Sequence, residues 1–300
     1  MEKIKLSPTL EISRFALGFW RLKKWKISTD ELLKFIEKVL SLGITTFDHA
    51  DIYGDYSCEV LFGEALKQKP ALRHKMQLIT KCGIKVVSPK FPERKVNHYD
   101  TGYQHIVNSV EQSLRNFHTD YIDLLLIHRP DPLMNPAETT RAFEDLHQSG
   151  KALHFGVSNF TSSDFDMLQA HLRFPLVTNQ VEISPRQLEH FQNGNMAYFL
   201  QKDIHPMAWS PLAQGKLLYP NDEKSYRIHN KLKELAKRKE FENLSPLIYA
   251  WLLKHPSGII PVLGTGKIER IAEALKATEI SLSTEEWFEI YEAGLGHRVP

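Results

Sequence analysis

Three apolar stretches of the sequence each end in an ionisable residue, namely Asp48, Lys81 and His128, and Tyr53 lies five positions after the first of them. A tyrosine, whose ordinary pKa is about 10, is a weak proton donor at neutral pH, but a neighbouring ammonium stabilises the phenolate and lowers that pKa. Lys81 is the predicted ammonium, and Asp48 is predicted to keep it charged and aimed. The residue types therefore predict acid–base chemistry at Tyr53.

His128 has two interpretations at this stage. Through a ring nitrogen it would hydrogen-bond a carbonyl oxygen and stabilise the negative charge that develops there. Alternatively, Asp48, His49, Asp51 and His128 would be metal ligands, but the sequence has neither an H-x-H nor an H-E-x-x-H motif to support a metallohydrolase. Any one of these residues alone is compatible with a solvated loop, so the prediction depends on their joint placement.

The elements that must position these residues alternate between strands and helices. A capping box at Ser28 to Glu31 begins a helix that Gly43 ends, and a second one at Ser283 to Glu286 begins a final helix. Helical spacing also predicts helices over 104–117, 136–148, 163–172 and 268–277. Apolar runs predict eight strands, over 15–17, 44–47, 77–80, 121–127, 155–157, 177–181, 207–209 and 259–262.

Several of these strands are apolar throughout, which is typical of parallel strands buried on both faces. The alternation without a break in composition predicts one (β/α)8 TIM barrel domain over residues 1–300, with a short N-terminal hairpin at 4–6 and 10–12 and a C-terminal helix packed on the barrel. The alternative is an open doubly wound sheet, which usually shows a G-x-G-x-x-G loop after its first strand, and none is present. In a barrel the carboxyl ends of the strands meet at one face, so the four polar side chains would converge there.

A glycine-flanked turn near the end of the chain has the character of a phosphate site. Gly264, Thr265, Gly266 and Lys267 precede a predicted helix in which Arg270 lies one turn along. Free backbone N–H groups at a helix N-terminus bind anions, and the two cationic side chains add positive charge.

Composition narrows the class of protein. The formal net charge of +2 over 300 residues gives no electrostatic reason to expect a nucleic acid or a membrane surface as partner. No apolar run reaches the roughly 18 residues of a membrane span. Two cysteines, Cys58 and Cys82, are too few for a disulfide framework, and the first residues lack the apolar run of a signal peptide. We expect a cytoplasmic protein, with a monomer as the default.

Seven motifs, taken in order, resemble the aldo-keto reductase family, in particular its bacterial oxidoreductase branch. The resemblance runs nearly end to end, and the motifs are FDHADIYG, ITKCG, LLLIHRP, GVSNF, NQVE, SPL and GTGK. It implies that Tyr53 is the general acid when a carbonyl is reduced and the base when an alcohol is oxidised. Lys81 and Asp48 would tune it, and His128 would orient the substrate. A nicotinamide cofactor would deliver the hydride.

The same resemblance implies a set of cofactor and substrate contacts. Ser158, Asn159 and Gln180 would bind the carboxamide, and Trp209 would stack on the nicotinamide ring. The adenosine ribose would lie at the glycine-flanked turn, where the cationic pair favours the 2′-phosphate of NADP over the hydroxyl of NAD. The substrate would contact Trp20, Tyr53 and His128. The other implied cofactor contacts are Gly18 and Trp20 beside the nicotinamide, Ser210, Leu212, Gly215 and Lys216 at the pyrophosphate, and Glu273 at the adenine.

Two functions remain open from the sequence. The leading one is an NADP-dependent reductase for an aldehyde or ketone, a small-molecule substrate. The alternative is an NADP-binding regulatory subunit of the same fold, similar to the channel-associated branch of the family, in which turnover is incidental. The presence of Asp48, Tyr53, Lys81 and His128 together favours catalysis.

Overall fold

The computed structural model describes residues 2–300, and its strands form two small antiparallel pairs and one closed barrel. The strands β1 (Lys3–Ser7) and β2 (Leu10–Ser13) form the predicted N-terminal hairpin. Eight strands close the barrel, in the order β3, β4, β5, β8, β9, β10, β11, β12. Their bounds are β3 (Ala16–Gly18), β4 (Thr46–Asp48), β5 (Gln77–Cys82), β8 (Ile122–Ile127), β9 (Ala152–Ser158), β10 (Leu176–Glu182), β11 (Met207–Trp209) and β12 (Ile260–Leu263).

The second small pair, β6 (Ile84–Lys85) with β7 (His98–Tyr99), lies in the long connection after β5 and has no counterpart in the sequence predictions.

The helices follow the strands around the chain. They are α1 (Leu22–Trp25), α2 (Thr29–Ser41), α3 (Tyr53–Tyr56), α4 (Cys58–Gln68), α5 (Tyr103–Phe117), α6 (Pro136–Gln148), α7 (Ser162–Gln169), α8 (Glu189–Gln192), α9 (Asn195–Gln201), α10 (Glu223–Arg238), α11 (Ser245–Leu253), α12 (Ile268–Leu275) and α13 (Thr284–Leu295). Three short 3₁₀ turns span Pro70–Lys75, Ala213–Gly215 and Lys276–Glu279.

The structure confirms the predicted (β/α)8 barrel and both capping boxes. The Ser28 hydroxyl accepts the backbone N–H of Glu31 at 3.2 Å, and the Glu31 carboxylate accepts the backbone N–H of Ser28 at 2.7 Å. Ser283 and Glu286 make the same reciprocal bonds at the start of α13. Each box satisfies two backbone groups that a helix N-terminus otherwise leaves without partners, which is why these helices begin where the sequence indicates.

The chain contains two compact units. The first comprises the residues up to Asn179 together with Gly264–Gly266, and the second comprises Gln180–Leu263 with Lys267–Pro300. The single domain over residues 1–300 stays a prediction. Across residues 2–300, no helix is both long enough and apolar enough to cross a membrane.

In the first unit, an aromatic cluster packs behind the ends of β3 and β4. The ring of His49 stacks on Phe19 with centroids 4.7 Å apart, and Phe62 and Phe117 meet it edge-on at 4.5 and 5.0 Å. All four side chains are fully buried. This packing fixes the backbone of the residue that follows Asp48.

In the second unit, α13 is fastened to α11 by two tryptophans. The indoles of Trp251 and Trp287 stack at 4.9 Å, and each donates its ring N–H to the other's backbone carbonyl at 3.0 Å. Because both ring N–H groups find partners, Trp251 is fully buried and Trp287 is half-buried without an unsatisfied donor. The predicted C-terminal helix, α13, is therefore attached to α11 through its first turn.

Candidate active site

Lys81 is the centre of the predicted acid–base group. Its ammonium donates to the Asp48 carboxylate at 2.7 Å, to the His49 carbonyl at 2.8 Å and to the Tyr53 phenol oxygen at 3.2 Å. An ammonium has three protons, so every donor of this fully buried group is satisfied. The parallel pairing of β4 with β5 sets Asp48 opposite Ile79. Lys81 lies two residues further along β5, on the same face as Ile79.

The pKa of Lys81 lies above its usual value. Burial disfavours the charged form, but the Asp48 carboxylate and the Tyr53 phenol oxygen outweigh that cost. Lys81 is therefore charged at neutral pH, as the sequence predicts.

The pKa of Tyr53 is the one electrostatic expectation that proves wrong. Burial of the phenol raises the pKa, Lys81 lowers it and Asp48 raises it, and the net direction is upward. The ammonium acts in the predicted direction, but loss of hydration destabilises the phenolate by more than the ammonium stabilises it. Tyr53 is consequently a protonated phenol at neutral pH.

His128 completes the group. Its backbone N–H, immediately after β8, donates to the Cys82 carbonyl at 2.8 Å, and its ring meets the Tyr53 ring edge-on with centroids 5.8 Å apart. Burial, followed by the charges of Lys81 and Arg129, holds the pKa of His128 well below its usual value. The imidazole is thus neutral, and its Nδ1 is buried with no hydrogen-bond partner within the described chain. Such a ring keeps one N–H to donate and one nitrogen to accept.

The structure brings the predicted carboxamide residues of the first unit up to His128. Asn159 donates from its side-chain amide to the His128 carbonyl at 3.3 Å and to the Ser158 hydroxyl at 2.9 Å. Asn159 has a left-handed backbone with φ of 61°, which turns the chain sharply at the end of β9. Asparagine tolerates that conformation better than most residues.

The connection after β3 reaches the same group through the backbone. Gly18 is in register with Asp48, and the next N–H, that of Phe19, donates to the Asp48 carbonyl at 2.9 Å. Trp20 is 52% exposed, and the Arg21 guanidinium lies 5.2 Å from its ring centroid. The indole is therefore accessible from solvent.

The second unit holds the remaining predicted strand-end residues. Gln180 on β10 pairs with Met207 on β11, and Trp209 is the last residue of β11. The segment that follows is strained at three residues other than glycine, with φ of 50° at Ser210, 48° at Ala213 and 58° at Gln214. Gly215 continues it with φ of 95°, which glycine adopts at no steric cost. Leu212 lies within it, and Lys216 follows with its ammonium 3.8 Å from Asp222. Strained backbone of this kind is concentrated at ligand-binding segments.

The glycine-flanked turn connects β12 to α12. A Cβ added to Gly264 would meet nothing within 4 Å, whereas one added to Gly266 would lie 2.6 Å from the indole of Trp25. Thr265 lies between them, Lys267 is the extended N-cap residue of α12, and Lys267 and Arg270 are both exposed. The carboxylate of Glu273, the predicted adenine contact, pairs with Lys276 at 2.7 Å.

Sequence reasoning missed two contributors to these sites. The His49 carbonyl accepts from Lys81, and a main-chain acceptor leaves no signal in residue types. Trp25, in α1, packs against Gly266 from more than two hundred residues away in the sequence. Long-range contacts of this kind cannot be identified from local pattern.

The metal alternative does not fit the geometry. The Asp48 carboxylate is paired with Lys81, and the His49 ring lies in the aromatic cluster with neither nitrogen hydrogen-bonded within the part of the chain that is described. Nor do residues 2–300 contain a group of three or more His, Cys, Asp or Glu side chains arranged to hold a metal ion.

Known proteins share this chain's sequence and fold over nearly their whole length. A family model described as "Aldo/keto reductase family" matches residues 14–294. An uncharacterized oxidoreductase of Bacillus subtilis, YcsN, is 48% identical, with both chains covered in full. A 6-dehydroglucose reductase of Agrobacterium fabrum is 42% identical, again over 100% of both chains. The solved structure of glycerol dehydrogenase AKR11B4 from Gluconobacter oxydans has a TM-score of 0.84 at 25% identity, covering 98% of this chain and 95% of that one.

Proposed function

Because the chain belongs to the aldo/keto reductase family and is an oxidoreductase, we propose that it transfers a hydride between NADP(H) and an aldehyde or ketone. The observation that carries the proposal is the ammonium of Lys81, held between the Asp48 carboxylate and the Tyr53 phenol oxygen. A phenol that can donate its proton, held beside a fixed positive charge, is suited to proton transfer to a carbonyl oxygen.

Tyr53 is the proposed general acid. Lys81 donates to the phenol oxygen, so the phenol's own proton is left for the substrate oxygen. The raised pKa keeps that proton on Tyr53 at neutral pH, which suits the reduction direction. Once the proton has left, the ammonium at 3.2 Å stabilises the phenolate, and Asp48 keeps the ammonium in place. In alcohol oxidation the same phenolate accepts the proton.

His128 is the proposed orienting residue. Its neutral ring carries one N–H, which would donate to the carbonyl oxygen as negative charge develops. The ring stands edge-on to Tyr53, so both donors can approach one oxygen atom. The exposed indole of Trp20 is the proposed apolar wall of the substrate site.

A nicotinamide cofactor, when bound, supplies the hydride. The residues present fit such a group, since the turn after β12 leaves open space at Gly264 and precedes a helix N-terminus with exposed basic side chains. We assign the carboxamide to Ser158, Asn159 and Gln180, and the ring stacking to Trp209. The proposed pyrophosphate contacts are Ser210, Leu212, Gly215 and Lys216; the proposed remaining contacts are Gly18 and Trp20 beside the ring, Gly264, Thr265 and Gly266 at the turn, and Glu273 at the adenine.

Lys267 and Arg270 are the proposed reason for a preference for NADP. Both lie exposed at the start of α12, where the anionic 2′-phosphate of NADP would meet two positive charges. The 2′-hydroxyl of NAD is uncharged and would gain no ion pair there.

The similar proteins suggest which substrates to try first. One relative is named a 6-dehydroglucose reductase, and one structural neighbour is named a glycerol dehydrogenase. We therefore propose a small hydroxylated carbonyl compound or alcohol as substrate.

A nucleotide titration followed by turnover tests the function. NADPH and NADH are titrated against tryptophan fluorescence in wild type and in the Lys267→Ala/Arg270→Ala double variant, and 6-dehydroglucose reduction is then assayed with each cofactor. We expect NADPH to bind more tightly than NADH in wild type only, with loss of two charged hydrogen bonds weakening NADPH by roughly 1.5–3 kcal/mol each. If neither nucleotide bound, the proposal would be refuted, and tight binding without turnover on any carbonyl would favour the regulatory alternative.

A further inference from the structure

The backbone immediately after Tyr53 adopts a conformation that the local sequence does not favour. Gly54, Asp55 and Tyr56 have φ values of 61°, 59° and 56°, three left-handed residues in succession. Glycine is needed at the first of them, because a Cβ there would also lie 2.5 Å from the Cys58 sulfur. The next two are not glycine. Aspartate tolerates the left-handed region better than most residues, but Tyr56 stays left-handed only where surrounding contacts compel it.

Those contacts come from one segment, the connection of residues 86–97 between β6 and β7. The buried Ser88 hydroxyl donates to the Asp55 carboxylate at 2.6 Å. The ammonium of Lys90 donates to the Tyr56 carbonyl at 3.1 Å. Asp55 and Tyr56, the two left-handed residues other than glycine, are thus both hydrogen-bonded by this one segment.

The phenol of Tyr56 is the main attachment point. Its oxygen accepts from the Arg94 guanidinium at 2.6 Å and from the backbone N–H of Val86 at 3.3 Å. The same guanidinium lies 3.6 Å from the centroid of Phe91, whose ring packs edge-on to Tyr56 at 4.9 Å. A guanidinium that both stacks and donates is held in one orientation.

The segment is itself well anchored. Asn97 accepts the backbone N–H of Val87 at 2.7 Å, and the β6–β7 pair closes the base of the segment. An ion pair between Lys85 and Asp100 strengthens that base. The segment is therefore fixed at its base and can hold the turn in place.

We propose that this segment is a clamp that positions Tyr53 for proton transfer, and that Tyr56, Ser88 and Arg94 are positioning residues for the reaction. The inference rests on the proposed function. Tyr53 shares its turn with the clamped residues, and its carbonyl accepts the N–H of Ser57 at 3.1 Å directly across that turn. A shift of the turn moves the phenol oxygen relative to Lys81, 3.2 Å away, and relative to the substrate oxygen, and the rate of proton transfer depends steeply on how the reacting groups are placed.

Two mild substitutions test the clamp. Tyr56→Phe removes one hydroxyl and keeps the ring on Phe91, and Ser88→Ala removes the donor to Asp55. We expect each to lower kcat by about tenfold to hundredfold with little change in KM or in the Kd for NADPH, as a misplaced catalytic group does. Ser88→Thr keeps the hydroxyl and should recover most of the activity. Tyr99→Phe, the same change at an exposed position of β7, is the matched control and should behave as wild type.

A measurement without turnover separates positioning from simple loss of stability. The protein is labelled with fluorotyrosine, and the Tyr53 signal is assigned by its disappearance in Tyr53→Phe. Fluorine NMR should show one sharp Tyr53 signal in wild type and in Tyr99→Phe, and a shifted or broadened one in Ser88→Ala. Unchanged kcat and an unchanged Tyr53 signal in both clamp variants would overturn the clamp. If Tyr53→Phe itself kept full activity, the proposed function would be refuted instead.

Discussion

At the scale of single residues, the site depends on one buried charge that is completely satisfied. The Lys81 ammonium has three N–H donors, and Asp48, His49 and Tyr53 each supply an acceptor. Removing a single partner of a buried pair leaves an uncompensated charge, which costs more than the pair itself contributes. The catalytic group and the stability of the barrel mouth are therefore linked through this ammonium.

That link predicts the effect of breaking the pair. Lys81→Met leaves the Asp48 carboxylate buried without its cation and should lower the free energy of unfolding by about 3–5 kcal/mol. Lys81→Met with Asp48→Asn removes both charges at nearly constant volume and should recover most of the loss. Urea unfolding of the two variants checks this.

The matched control is Lys69→Met, which breaks an ion pair with Glu37 whose side chains are 54% and 38% exposed. Surface pairs contribute little because water already solvates both charges. A double variant as unstable as Lys81→Met would show that the charge pair is not the source of the loss.

Residue types alone predicted which four side chains belong together, because Asp48, Lys81 and His128 each follow an apolar strand. They did not predict the net direction of the pKa of Tyr53. That direction depends on how much water the folded chain removes from the phenol, and burial is a property of the tertiary structure.

At the scale of elements, the glycine-flanked turn after β12 is supported from below by α1. The indole of Trp25 lies against Gly266 and packs between Phe19 and Phe35 at 5.5 and 5.3 Å. Gly264, two residues earlier, has open space where a side chain would project. The two glycines are thus present for different reasons, close packing at one and access at the other.

The difference between the glycines predicts that alanine lowers stability at Gly266 and leaves it unchanged at Gly264. Gly266→Ala would place a Cβ 2.6 Å from the indole and should lower stability by about 1–3 kcal/mol, as overpacking does. In Gly264→Ala the added Cβ meets no neighbour, so its melting temperature should equal that of wild type. Thermal unfolding followed by circular dichroism is the measurement, and equal melting temperatures would contradict the packing assigned to Trp25.

Local pattern located the helices that have capping boxes, and α6 and β11 have the bounds that were predicted. It did not predict α4, β6 or β7. The clamp segment between β6 and β7 is formed by contacts of Ser88, Lys90 and Arg94 with a turn more than thirty residues earlier. Such pairings leave no periodic signal in the sequence.

At the scale of the whole molecule, alternation of strands and helices predicted the closed barrel, and the motifs predicted the family. The family model spans residues 14–294, and the barrel order places β3, β4, β5 and β8 side by side. Three of these strands position the four predicted catalytic residues, because Asp48 and Lys81 lie on β4 and β5, Tyr53 follows β4 and His128 follows β8. The cofactor contacts, the single domain and the monomeric state stay predictions, because they depend on ligands and interfaces that a sequence does not display.

The pH dependence of carbonyl reduction, measured in wild type and Tyr53→Phe with saturating NADPH, tests the central claim most directly. A general acid works only while protonated, so the wild-type rate should hold through neutral pH and fall only above the usual phenol pKa of about 10. The neutral His128 should add no acid limb near its ordinary pKa of about 6.5. Tyr53→Phe should bind NADPH normally and lose about 10²–10⁴-fold in kcat. Equal rates in the two proteins would remove Tyr53 from its proposed role and contradict the account.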